Sequence, residues 1–524
     1  MGADTAVVAR LLERAQCGDH AEVLLLAEKA LREPTGDLAD GEPGMHFVRW
    51  VAMCVFGHSD LALAAINLML TSALREGSQG WRSCALSSRA HQLLRADSGL
   101  SEHDVEAALQ DLIDAEMALA LGVEDSVIAE NAHTGVALGY HQLRLYELAL
   151  PQYEAAYAIS AQDGREAANR TMWQANIATM HLQWALELSR VGRVGEAQQH
   201  SQTAGVHAML AFEQACGPEA ELWRQSAHLL AGCAAATGPD PAGAATSIQL
   251  YADALAKRGQ RAEVAFCWPF LAIALRYSGQ HDQALEVIDR VAQDLPTDAG
   301  WLMTAAVHHT RAVLLADKGG PSAKAALAYG DSLAQALWRQ RQRTLQTATT
   351  MKSYDVLRGE HARVALHAET DCLTDVANRR AFDRVVESME LSGDDRRIAV
   401  LLVDVDSFKR INDTRGHAVG DSTLRTVAEV LAAEARDGDL VARLGGDEFV
   451  VLLPGAGAGA AYLVADRMAK VIEVLADVTV SIGVAGGAAS GVMSILHAAD
   501  TAMYIAKRAG GNQANLAEPV TVGT

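Results

Sequence analysis

Residues 443–449 read Arg-Leu-Gly-Gly-Asp-Glu-Phe and lie between two short apolar runs, Asp439 to Leu444 and Phe449 to Leu453. This pattern predicts two strands joined by a glycine turn, because paired glycines permit the positive φ of a tight hairpin. A hairpin alone has no need of adjacent carboxylates at its tip, so a cationic or protic partner is expected at Asp447 and Glu448. A second pair of acids, Asp404 and Asp406, closes the apolar run Ile398 to Val403 upstream. Such a run ending in acids has the form of a buried central strand delivering carboxylates to a sheet edge. If that strand lies beside the hairpin, Asp404, Asp447 and Glu448 converge. Hard oxygen ligands so grouped suit Mg²⁺ (or Mn²⁺), held by one or two carboxylates together with substrate phosphates. The chemistry expected is phosphoryl or nucleotidyl transfer.

The elements that must position these acids follow from periodicity. The sequence predicts a strand over 398–405, a helix over 419–436, the hairpin over 439–453, a helix over 459–474, a strand over 478–485 and a helix over 492–508. This βαββαβ order is that of an α+β ferredoxin-like fold. Further signposts are Leu373-Thr374 with Asn378-Arg379-Arg380, then Phe408-Lys409, Asn412-Asp413, Gly416-His417 and Gly420-Asp421. Ser481-Ile482-Gly483-Val484 and Ala499-Asp500 through Ala506-Lys507 complete the series.

Taken in order, these motifs make residues 371–514 resemble the catalytic domain of the GGDEF diguanylate cyclases, which share the palm-type fold of nucleotide cyclases and polymerases. The resemblance implies condensation of two GTP into cyclic di-GMP and two pyrophosphates. It implies that Asp404, the Val405 carbonyl and Glu448 are metal ligands, with Asp447 assisting metal binding or deprotonating the attacking 3′-hydroxyl. A two-metal site of this kind activates the hydroxyl and stabilises charge on the α-phosphate and leaving group. Asp406 stands apart, with a purely structural role open to it. Amides from Ser407 through Phe408 to Lys409, with the Lys409 and Lys507 side chains, are expected to cradle phosphates. The family places an arginine four residues beyond the second lysine; here that position is Gly511. Asn412 and Asp421 match the guanine-reading pair, which favours GTP over ATP because adenine lacks the N1-H and N2-H donors. His417 falls on a substrate-site position, with turn stabilisation as the other reading. Arg436-Asp437-Gly438-Asp439 matches the RxxD site at which these enzymes bind their own product, with Arg467 as a possible further clamp.

Upstream, residues 1–320 are rich in Ala and Leu with helical periodicity, which predicts an all-α region. Recurring pieces such as Gly192 to Ala197 with Ala204, and Gly279 to Ala284 with Ile288 and Pro296, resemble tetratricopeptide repeats. A TPR-like superhelix that senses a protein or small-molecule ligand on its concave surface is expected. A scaffold whose repeats only pack on one another is the alternative. Residues 321–370 predict a helical linker in which Tyr354, Leu357, His361, Val364 and Ala368 form a weak coiled-coil seam. Pairing of this seam would give a homodimer, whereas a rigid spacer is the other reading. The basic run Trp338 to Arg343 is read as a solvated face, and residues 515–524 as a flexible tail.

At 524 residues the chain has room for several domains. Its formal charge is −21, with 22 acids against 15 bases from Asp371 onward and about −14 for residues 1–370. Neither part offers the basic surface that nucleic-acid binding needs. No apolar run approaches the ~18 residues of a membrane span, and no secretory signal is apparent. The seven cysteines lack metal-type spacing. A cytoplasmic protein without membrane or nucleic-acid partners is expected. A catalytically silent GTP or cyclic di-GMP receptor, or a repeat-based interaction scaffold, remains as an alternative function.

Overall fold

The computed structural model describes residues 3–16, 20–32, 41–56, 59–94, 102–123, 125–162, 168–216, 220–295, 301–392 and 396–518. It divides into two compact units, Met1–Lys352 and Ser353–Thr524.

The N-terminal unit is helical. A first core gathers α1 (Ala3–Gln16), α2 (His20–Arg32), α3 (Glu42–Phe56), α4 (Ser59–Arg75) and α5 (Gln79–Leu94) around Val48, Met69 and Trp81. A second is built on α6 (Glu102–Ala120), α7 (Ser126–Gln142), α8 (Tyr146–Gln162) and α9 (Ala168–Arg190), where Tyr140, Tyr146 and Tyr153 are fully buried. A third joins α9 to α10 (Val194–Gln214), α11 (Ala220–Ala234), α12 (Pro241–Lys257), α13 (Arg261–Tyr277), α14 (His281–Gln293) and α15 (Trp301–Asp317). Small residues allow the close contacts: Ala204, Ala208, Ala252 and Ala284 have no exposed surface. Gly192, Gly259, Gly279 and Gly319 take positive φ between successive helices, a conformation that costs glycine little. Pro296 lies outside the described residues.

The linker is one helix, α16 (Pro321–Glu369), and the division between units falls within it. Its basic run is not a uniformly solvated face. Arg339 and Arg343 are exposed, but the Arg341 side chain has 0% exposure. Arg341 donates from Nε to the Arg144 carbonyl at 2.6 Å, pairs with Glu147, and lies over the rings of Tyr146, Trp184 and Trp338. An arginine enters a helical core only with such partners. Tyr354 and Leu357 are exposed. The side chains of His361, Val364 and Ala368 lie outside the described residues.

The C-terminal unit carries a six-stranded sheet of order β1-β3-β4-β2-β5-β6. Its strands are β1 (Ala377–Asn378), β2 (Arg397–Val405), β3 (Leu440–Gly445), β4 (Glu448–Pro454), β5 (Val480–Ala488) and β6 (Gln513–Leu516). The inner four have the ferredoxin-like arrangement, with β2 antiparallel to both β4 and β5. Its helices are α17 (Arg379–Ser392), α18 (Phe408–Arg415), α19 (His417–Glu434), α20 (Ala458–Ala476) and α21 (Val492–Arg508). Because side chains alternate across a strand, Ala399, Leu401 and Val403 meet α19 and α20, whereas Ile398, Val400 and Leu402 meet α17 and α21. Burial on both faces explains the unbroken apolar run. The expected tail from 515 is corrected in part: Asn515 and Leu516 pair with Gly483 and Val484 in β6. Residues 519–524 lie outside the described residues.

Candidate active site

The β2–β4 register sets Asp404 directly opposite Glu448, and the Val405 N–H donates to the Asp447 carbonyl at 3.2 Å. The turn between β3 and β4 is made by Gly445 (φ 147°) and Gly446 (φ 56°). Like charges facing each other across a strand pair repel. Lys507, near the end of α21, answers this by contacting Asp404 Oδ2 at 2.6 Å. Asp404 is only 6% exposed. Burial pushes its carboxyl above the ordinary value; the hydrogen bond and charge of Lys507 oppose that, while Asp447 and Glu448 add to it.

Gly483 fixes where α21 runs. A Cβ there would overlap the Ala499 carbonyl and the Met503 amide, so only glycine lets the helix lie on β5. That approach delivers Lys507 to Asp404. Asp406 is structural: it accepts from Thr479 Oγ1 at 2.8 Å, Ser481 Oγ at 2.7 Å and the Asn512 amide at 2.8 Å. Gly511, where the family pattern has arginine, has φ 74°, and a Cβ on it would sit 2.8 Å from Asp406 Oδ2. A side chain there would press on the carboxylate that ties β2 to β5 and β6.

Ser407 takes a left-handed conformation (φ 56°) at the start of α18 and makes no capping side-chain bond. The leading amides at Phe408 and Lys409 thus lie at the positive end of a helix without a side-chain cap from Ser407, beside the exposed Lys409. Gly416 breaks α18 from α19 with φ 84°. Asn412 packs against Gly420, where a Cβ would overlap its Oδ1. Asn412 and Asp421 are thereby brought to adjoining helices. His417, the first residue of α19, is exposed.

The Arg436–Asp439 pair is closed on itself: the Arg436 amide donates to Asp439 Oδ2 at 3.0 Å, and its Nε to Oδ1 at 3.3 Å. Arg467 is paired with Glu434.

Two residues that hold the turn escaped the sequence reading. Arg443 donates from Nε and NH2 to the Gly446 carbonyl at 3.0 and 2.7 Å, and from NH1 to Asp371 Oδ1 at 2.9 Å. Asp371 also accepts from the Thr374 amide and hydroxyl. Burial would raise the Asp371 carboxyl, but the hydrogen bonds from Thr374 and Arg443 hold it below its ordinary value. The signal available was the Asp371–Thr374 spacing of a side-chain-capped turn.

Among the described residues, no three His, Cys, Asp or Glu side chains stand close enough to hold an ion as a ready-made cage. The donor set nevertheless fits a divalent cation that takes part of its shell from substrate: two facing carboxylates, an excess of negative charge, and oxygen ligands alone. Among the described residues, the six cysteines form no disulfide. No described helix is long and apolar enough to cross a membrane.

The family description "Diguanylate cyclase, GGDEF domain" matches residues 368–513. Those residues are a GGDEF domain. The chain is 39% identical over 175 residues to diguanylate cyclase TpbB of Pseudomonas aeruginosa, covering 31% of this chain and 40% of that protein. It is 37% identical over 185 residues to response regulator PleD of Caulobacter vibrioides, covering 32% and 40%. A solved structure of the coiled coil and GGDEF domain of DgcB from Caulobacter crescentus, in complex with c-di-GMP, is 29% identical. It covers 33% of this chain and 97% of that one, with a TM-score of 0.31. The chain thus spans about two fifths of the length of the first curated relatives it matches.

Proposed function

We propose that the GGDEF domain is a diguanylate cyclase, condensing two GTP into cyclic di-GMP and two pyrophosphates. The observation that carries this reading is the Asp404–Glu448 pairing with Asp447 on the adjoining turn. A receptor that only bound nucleotide would gain nothing from facing carboxylates that repel one another.

Asp404, Glu448 and the Val405 carbonyl would hold Mg²⁺ or Mn²⁺, which would supply charge neutralisation at the phosphates and acidify the attacking hydroxyl. Asp447, at the tip, would assist metal binding or accept the 3′-hydroxyl proton. The leading amides of α18, with Lys409 and Lys507, would bind the phosphates; Lys507 would shift from Asp404 toward substrate once the carboxylate charge is otherwise neutralised. Asn412 and Asp421 would read guanine, with His417 beside them. Each 3′-oxygen attacks the α-phosphorus of the other GTP and expels pyrophosphate, so two domains must face one another.

That geometry makes dimerisation the point of control. The exposed Tyr354 and Leu357 of α16 suit a pairing seam, and the TPR-like helical unit would act as the input domain. Product inhibition through Arg436 and Asp439, with Arg467 alongside, requires their present pairing to open, since cyclic di-GMP would compete for the same groups. The organisation that goes with this reading is an input region over 1–320, a linker over 321–370 and the cyclase over 371–514, in a cytoplasmic protein.

The test is full-length protein incubated with GTP and Mg²⁺, the nucleotides being resolved by chromatography and mass. Cyclic di-GMP and pyrophosphate are expected. GTP bound but unconverted at enzyme concentrations that give a dimer would replace the cyclase with a receptor.

A further inference from the structure

The N-terminal unit contains a cavity of about 230 Å³ between α9, α10, α11, α13 and α15, remote in sequence from the GGDEF domain. Leu186, Phe270, Ile273 and Val313 give it an apolar wall. Among the described residues its ionisable lining consists of Arg190, Arg276 and His309, without one Asp or Glu. In a chain of net charge −21, such a lining is a local reversal of sign.

The two arginines and the histidine differ in how they are used, and burial, followed by the charge of Arg190, lowers the pKa of His309 and favours its neutral form. Arg276 is committed to Asp317, donating from Nε to Oδ2 at 2.6 Å. His309 faces Asp331 of α16 at 3.4 Å. The Arg190 Nε is buried and has no hydrogen-bond partner among the described residues. Glu187 acts on Arg190 only at electrostatic range, its own oxygens being taken by Arg144 and Tyr146. A buried donor of this kind is costly unless an acceptor reaches it. The volume lies below the ~300–1,000 Å³ typical of pockets for drug-sized ligands, which limits the ligand to a compact one.

We propose that this cavity binds a compact organic carboxylate, its apolar body against Phe270, Ile273 and Val313 and its charged group accepting from Arg190. Inorganic phosphate fits less well, because the apolar wall would be left without a counterpart. The site also borders α16: Arg190 lines a second, smaller gap with Trp338, and the His309 partner Asp331 belongs to that helix. A bound carboxylate would compete with Asp331, which acts on both Arg190 and His309, so occupancy would be felt at the start of the linker. The inference deepens the input role given to the N-terminal unit and does not depend on the cyclase chemistry.

Isothermal titration of the full-length protein with hexanoate and benzoate, against hexan-1-ol, benzamide and inorganic phosphate, tests it. One carboxylate per chain is expected to bind saturably, at least about tenfold tighter than its neutral counterpart and than phosphate, with Arg190→Gln weakening it at least about tenfold. No saturable carboxylate binding, equal binding of the neutral counterpart, tighter binding of phosphate, or unchanged binding by a folded Arg190→Gln would overturn it. Should Arg190→Gln fail to fold, Ser201→Leu narrows the cavity without touching the cation. Weakened carboxylate binding by that variant supports the site, and undiminished binding rejects it. Because binding is read directly, failure here leaves the cyclase reading standing, and failure of the cyclase leaves this one.

Discussion

Asp404 is held under opposing demands: the fold buries it, two neighbouring acids repel it, and Lys507 compensates in part. Its surroundings disfavour the charged form, the situation expected where function and stability trade off. Asp404→Asn should lower cyclic di-GMP formation by on the order of 100-fold or more while leaving the melting temperature of metal-free protein unchanged or raised. Melting several degrees lower would mean that the carboxylate is structural. Gly420→Ala makes a different prediction, because the added methyl displaces Asn412. The KM for GTP should rise by roughly tenfold with kcat changed far less, and discrimination against ATP should shrink; steady-state kinetics with both nucleotides would show it. The pairing of Asp404 with the acidic turn was legible because an apolar run ending in acids and a glycine hairpin each announce themselves locally. The role of Gly420 was not, since it depends on where the Asn412 side chain lies after two helices have formed.

At the scale of elements, the long strands and helices of the GGDEF domain from β2 onward were readable from periodicity; the 14-residue α17 was passed over, and the other pieces missed were short or depended on distant partners. β1 has two residues, too few for any pattern, and β6 exists because Asn515 and Leu516 find β5. α18 and α19 are separate because Gly416 turns between them. Arg341 looked like a surface residue among other cations, and its burial rests on Glu147 and three rings supplied by α8, α9 and α16 itself. Removing one member of such a buried pair leaves its partner uncompensated. Arg341→Ala should therefore destabilise the N-terminal unit by about 2–3 kcal/mol, below the ~3–5 kcal/mol of fully buried pairs because Glu147 is partly exposed. Urea unfolding would measure it, and a cost under about 0.5 kcal/mol would show that Arg341 does not anchor α16 to the helices before it.

For the whole molecule, pH should act on the two units differently. All eight tryptophans lie between Trp50 and Trp338, so their fluorescence reports the N-terminal unit alone. There His181 packs against His200 and His207, with its Nδ1 2.8 Å from that of His200. Burial, and then the two neighbouring histidines, lower the pKa of His181 from 6.5 to about 3. A depressed folded pKa means that the unfolded chain binds more protons between these values. Stability is therefore full above pH 6.5 and falls as pH drops toward about 3, at up to ~1.4 kcal/mol per pH unit from this residue. Urea midpoints read by tryptophan fluorescence at pH 7.5, 6 and 5 should decline accordingly, and His181→Leu should flatten the decline; an unchanged slope would assign it to other groups.

The central claim is that facing carboxylates at the β2–β4 junction make cyclic di-GMP from GTP. It is tested most directly by incubating wild type, Asp404→Asn and Glu448→Gln side by side with GTP and Mg²⁺ and quantifying product by mass. Cyclic di-GMP from the wild type, with each variant reduced by on the order of 100-fold or more, is the predicted result. Equal product from folded variants would contradict the assigned site, and none from dimeric wild type would contradict the activity itself.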